Sequence, residues 1–109
     1  MMNIVDVRTF ALSLPEATEA PHFHYASFRV RGKIFVTVPP EETRIHVFLP
    51  DPEREIALTL YAAFVEKLLW GGKVVGVRVR LNDAEPDAVQ QLIRQAWIAK
   101  APKQLAAQT

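Results

Sequence analysis

The sequence predicts an α+β domain in which helices cover one face of an antiparallel sheet. Three observations carry this. Apolar segments of helical period alternate with segments of period two, in the order helix, strands, helix, strands, helix. Connections between consecutive strands are short and marked by Gly or Pro, which favours antiparallel pairing. The helical segments are apolar along one stripe only, so each needs a sheet face to cover, and the opposite face is left to water.

The elements follow in order. Asn3 or Asp6 caps a first helix in which Ile4, Val7, Phe10, Ala11 and Leu14 recur at three- and four-residue steps, and Pro15 ends it. Residues 22–38 are rich in aromatic and β-branched types and read as strands, with Gly32 breaking them into a hairpin; Ile34, Val36 and Val38 alternate against Lys33, Phe35 and Thr37. Pro39-Pro40-Glu41-Glu42 reverses the chain before a strand over Arg44 to Leu49. Asp51 is placed to cap a second helix, with Pro52 at its first position and Ile56, Leu60, Ala63 and Phe64 as its inner face. Strands return from Leu68 to Leu81, interrupted at Gly71-Gly72 and bulged near Gly76. Near Glu85 and Pro86 a third helix begins, with Val89, Leu92, Ile93, Ala96 and Trp97 facing the core. The 109 residues make one domain, with a frayed tail from about residue 104.

Composition narrows the function. No apolar run approaches the roughly 18 residues of a membrane helix, and Met1-Met2-Asn3 does not open a signal peptide, so a cytoplasmic protein is expected. Cysteine is absent, which removes disulfides, thiolate nucleophiles and cysteine-ligated metals. Ser13 and Ser27 are the serines, neither in a Gly-x-Ser-x-Gly elbow, and no phosphate-binding loop or dinucleotide fingerprint occurs. The expectation is a protein that is not an enzyme and uses no cofactor. His22 and His24, two apart, with His46 from another strand, give the one metal-ligand pattern worth weighing; without a suitably spaced carboxylate they read as surface or packed histidines, and no metal site is assigned.

Charge is more informative. The chain carries a net charge of +1, yet residues 22–38 and 67–81 contain no Asp or Glu and hold seven of the thirteen Lys and Arg. Two stretches there follow one plan: Phe28-Arg29-Val30-Arg31-Gly32-Lys33-Ile34, and Leu69-Trp70-Gly71-Gly72-Lys73-Val74 running on to Val77-Arg78-Val79-Arg80-Leu81. Each sets glycine beside lysine at a turn. Strand alternation turns Val77, Val79 and Leu81 inward and Arg78 and Arg80 outward. The candidate nucleic-acid-binding residues are therefore Arg29, Arg31, Lys33, Lys73, Arg78 and Arg80, with Trp70 as a stacking surface. A turn at Arg31-Gly32 would take Arg31 off the strand face. These cations are expected to share one exposed side, opposite the helices. The rival is a protein-interaction module anchored on Trp70, Tyr25 or Phe48.

The arm Ser27-Phe28-Arg29-Val30-Arg31-Gly32-Lys33-Ile34-Phe35, together with Leu14-Pro15, His22-Phe23, Trp70-Gly71-Gly72, Val77-Arg78-Val79-Arg80-Leu81, Ala96-Trp97 and Ala101-Pro102-Lys103, resembles the MmcQ/YjbR family over nearly the whole chain. The resemblance implies a curved antiparallel sheet and a "double wing" mode of DNA binding, weak and salt-sensitive here because the pI of about 8.1 is modest. The chain departs from that pattern at His24-Tyr25-Ala26, at Val75, and at Phe48, where a lysine is common.

Overall fold

The computed structural model describes residues 2–108. Its elements run α1 (Ile4–Ser13), β1 (Ala17–His22), β2 (Tyr25–Val30), β3 (Lys33–Val38), β4 (Arg44–Val47), α2 (Asp51–Leu60), β5 (Val65–Trp70), β6 (Lys73–Arg80), a 3-10 turn (Leu81–Asp83), α3 (Pro86–Lys100) and α4 (Lys103–Ala106). The strands form one open antiparallel sheet in the order β1-β2-β3-β4-β6-β5. It is the α+β architecture expected.

Asn3 caps α1 by a reciprocal capping box with Asp6, satisfying two amides that the helix leaves without partners. Val7 and Ala11 of that helix are buried, as are Ala88, Val89, Leu92, Ile93, Ala96 and Trp97 of α3. These pack on the sheet face carrying Phe28, Val36, Val47, Val77 and Val79. The Trp97 indole N–H donates to Pro15 O at 3.1 Å, so the end of α1 is pinned to the middle of the core.

Five local expectations are corrected. Ala17–His22, not foreseen as a strand, forms β1 at the sheet edge, where Pro21 is tolerated because an edge needs no second donor row. Pro50, not Asp51, is the cap of α2, and Asp51 opens the helix and pairs with Arg54 at 2.8 Å. That helix buries Ala57 and leans Leu58 and Tyr61 on the core, whereas Ile56 and Leu60 are 58% and 65% exposed. The alternation in β3 is broken: Phe28 pairs with Val36 and Arg29 with Ile34, so Phe35 is an extra residue that lets both Phe35 and Val36 be buried while Ile34 is not. The tail is not frayed at its start, because α4 forms and buries Leu105 against the core.

Candidate nucleic-acid interface

The two arms have the same construction. Arg31-Gly32 and Gly71-Gly72 both have positive φ at each position (51° and 81°; 58° and 79°), the geometry of a tight hairpin whose twist matches its strands. In the first arm Val30 pairs with Lys33 and Arg29 with Ile34, Phe35 is the extra residue, and Phe28 pairs with Val36. In the second, Trp70 pairs with Lys73 and Leu69 with Val74, Val75 is the extra residue, and Leu68 pairs with Gly76. The bulge expected at Gly76 thus falls on its neighbour. Gly76 serves another purpose: a Cβ there would lie 2.2 Å from Val47 O, so only glycine lets β4 pass this close.

The arms flank β4. Thr37 is level with His46, and Val77 is level with Val47, so the two turns rise from the same end of the sheet with a stagger of one residue, about 3.3 Å. Equivalent positions in the two arms face opposite ways. Val30 is buried under the helices, while its counterpart Trp70 lies on the open face against Phe48, with ring centroids 5.2 Å apart. The arms are therefore related by rotation about an axis along β4, which exchanges the two faces of the sheet. Directly paired residues point to the same side, so Lys33 projects on the helical side and Lys73 on the open side.

This corrects the expectation that all the cations share one face. Arg29, Arg78 and Arg80 do lie on the open face, in register with Ser27, His46 and Arg44 or adjacent to them. Lys33 and Lys73 stand instead at the same end of the sheet, on opposite sides of it. Arg31 sits in the turn, where it donates from Nε and Nη2 to both carboxylate oxygens of Glu16 at 2.5 and 2.9 Å. That pairing raises the guanidinium pKa and holds the Glu16 carboxyl below its ordinary range.

The other arginines are also engaged. Arg29 donates to Ser27 Oγ at 3.0 Å and to Pro21 O at 3.3 Å. Arg78 and Arg80 share Glu66 at 3.9 and 3.8 Å, and Arg80 adds Asp83 at 3.5 Å and the Ala63 carbonyl. Among the described residues, Lys33 and Lys73 make no ion pair. Neither does Arg44, an exposed residue on the open face that the sequence analysis left out, although its alternation with Ile45 and Val47 repeats the pattern that singled out Arg78 and Arg80.

A polar row crosses the open face from strand to strand: Ser27, Thr37, His46, Arg78 and Glu66 stand in register. Ser27, Thr37 and His46 are buried, His46 at 5% exposure. Burial is the main cause, and the Arg78 charge the second, of a His46 pKa pushed down to about 4. The imidazole is neutral at pH 7 and adds no charge to this face. His22 ends β1 and His24 lies in the following turn, after Phe23 at φ 57°, so the two do not share a strand face. Among the described residues no group of three or more His, Cys, Asp or Glu is placed to hold a metal ion.

The YjbR family model matches residues 12–99, a span that takes in both arms and most of α3. The chain belongs to the YjbR family. A solved relative of this YjbR domain is Deinococcus radiodurans protein DR2400, a DUF419 domain, whose crystal structure superposes with a TM-score of 0.77 at 16% identity, covering 91% of this chain and 78% of that one. At that identity the likeness speaks for the fold alone. No functionally curated protein matches the sequence. No helix among the described residues of the YjbR domain is long and apolar enough to cross a membrane.

Proposed function

We propose that this YjbR domain is a non-catalytic, cytoplasmic DNA-binding protein of low affinity that grips the phosphate backbone with the tips of its two arms. One observation carries the reading: Lys33 and Lys73 occupy the same position in two identically built hairpins, rise from the same end of the sheet, and have no carboxylate partner among the described residues. Ammonium groups in that state are free to replace counterions on a polyanion. Glycine at each tip keeps the arm slender enough to approach a groove.

The arginines of the open face take a secondary part. Arg29, Arg78 and Arg80 are half-buried and already donate to protein acceptors, so each must exchange or share a bond to reach a phosphate. About four contacts in all would give a logarithmic salt slope near −3.6, from roughly −0.9 per phosphate, and binding that fades at moderate salt. Fluorescence anisotropy of a labelled duplex at a series of salt concentrations tests this. No binding at low salt rejects it.

A second reading is favoured by one feature. β5 is a free sheet edge that ends in the exposed apolar pair Leu69 and Trp70, a surface suited to a protein partner. Complexes retained at high salt and lost on Trp70→Ala would support that reading over DNA.

A further inference from the structure

The open face holds a cavity that the arms do not explain. It has a volume of about 200 Å³ and is lined by His22, Phe23 and Tyr25 from the β1–β2 hairpin, Thr37 of β3, and Trp70 of β5. Residues from both edges of the sheet order thus wall one space. Its sides are aromatic, and Phe23 at 89% exposure and Trp70 at 47% present their rings to solvent. Its volume lies below the roughly 300 Å³ at which drug-sized pockets begin, so it suits a single ring system.

The floor has a fixed hydrogen-bond polarity. Arg78 has donors only, and its Nε donates to His46 Nε2 at 3.5 Å, which makes that nitrogen the acceptor of the neutral ring. The ring proton then resides on Nδ1, 3.3 Å from Thr37 Oγ1, and Thr37 accepts it. The Thr37 hydroxyl proton is left to donate, and Thr37 lines the cavity. A planar ligand held between aromatic walls would therefore meet one hydroxyl donor, which calls for an acceptor on its edge. The open face around it carries Arg29, Arg78 and Lys73 against the carboxylate of Glu66 beside Arg78, so cations are in excess and an anionic chain is favoured over a cationic ligand.

We infer that this cavity takes a single unstacked nucleobase of a single-stranded nucleic acid, stacked on Trp70 and Tyr25 with a base carbonyl or ring nitrogen accepting from Thr37. The inference rests on the reading of the arms as polyanion contacts, and gives that reading a preference for unpaired over duplex strands. Stacking on aromatic side chains is tolerant of base identity, and the hydroxyl donor adds a bias toward bases that present an acceptor.

The test uses the full chain with three probes: an oligothymidylate, the abasic oligomer of equal length and charge, and a duplex of that length, which carries twice the phosphate charge. Trp97 is fully buried, so quenching of tryptophan fluorescence reports Trp70. The oligothymidylate should bind at least about fivefold more tightly than the abasic chain and quench the emission, and Thr37→Val and Trp70→Leu should each abolish that preference. Thr37→Val keeps the shape of the side chain, so the readout survives if Trp70→Leu alters folding. Equal binding of the base-bearing and abasic chains overturns the cavity assignment and leaves the arms standing. Binding of none of the three at low salt overturns both.

Discussion

Arg31 and Glu16 form a bidentate ion pair that ties the tip of the first arm to the loop between α1 and β1. Both residues lie at positive φ, so the pair holds two left-handed backbone positions in place. It also cancels a charge that the sequence places among the DNA contacts. Glu16→Gln should release Arg31 and steepen the salt slope of duplex binding by about 0.9, one phosphate more, whereas Arg31→Ala should leave the slope of the parent protein unchanged. Anisotropy titrations of both variants check this.

His46 makes stability depend on pH. Its pKa is about 4 in the folded chain against 6.5 for the free side chain, so between those values the unfolded chain binds the extra proton. The stabilisation is complete above pH 6.5 and is lost as pH falls through 4, by about 3 kcal/mol at most. Urea denaturation at pH 7 and pH 4.5 should show the loss. A His46→Asn variant should show less of it, the titrating carboxylates being common to both.

Gly76 should not tolerate a side chain. Gly76→Ala drives a methyl group into the Val47 carbonyl, a backbone atom with no rotamer to escape by, and is expected to cost about 3 kcal/mol. Gly32→Asn is the control, since asparagine is accepted in the left-handed half of such a turn and nothing lies within 4 Å. Thermal melts of the two variants should separate by well over 10 °C, using roughly 4–8 °C per kcal/mol for a domain of this size.

What could be foreseen, and what could not, follows from how local each signal is. The face of α3 was legible because Val89, Leu92, Ile93, Ala96 and Trp97 recur at helical spacing within one element. The shared plan of the arms was legible because glycine and lysine sit at matching offsets. The extra residue Phe35 was not, and that of the second arm was placed one residue away, at Gly76 in place of Val75, because a bulge is set by pairing with the opposite strand and shifts every later side chain to the other face. For the same reason the arms' lysines could not be assigned to opposite sides. β1 was hidden because Ala17-Thr18-Glu19-Ala20-Pro21-His22 lacks β-branched and aromatic alternation, and its pairing with β2 supplies the structure instead. The ion pairs Arg31–Glu16 and Arg80–Glu66 join residues far apart in sequence, so charge counting alone overstated the free cations.

The C-terminal turn contributes to the core. Leu105 is buried among core residues, and Leu105→Ala should lower stability by about 2 kcal/mol, the smaller end of the range for such truncations because α4 is short. Guanidinium denaturation checks this, and an unchanged midpoint would return the tail to the status of a frayed end.

The central claim is that the arm tips, and foremost Lys33 and Lys73, are the contacts to the phosphate backbone. The most direct measurement is the salt dependence of duplex binding for the parent chain and for the Lys33→Ala, Lys73→Ala double variant, with folding checked by circular dichroism. The slope should fall in magnitude from about 3.6 to about 1.8, because two phosphate contacts are lost. A slope that does not change when both lysines are gone would contradict the account.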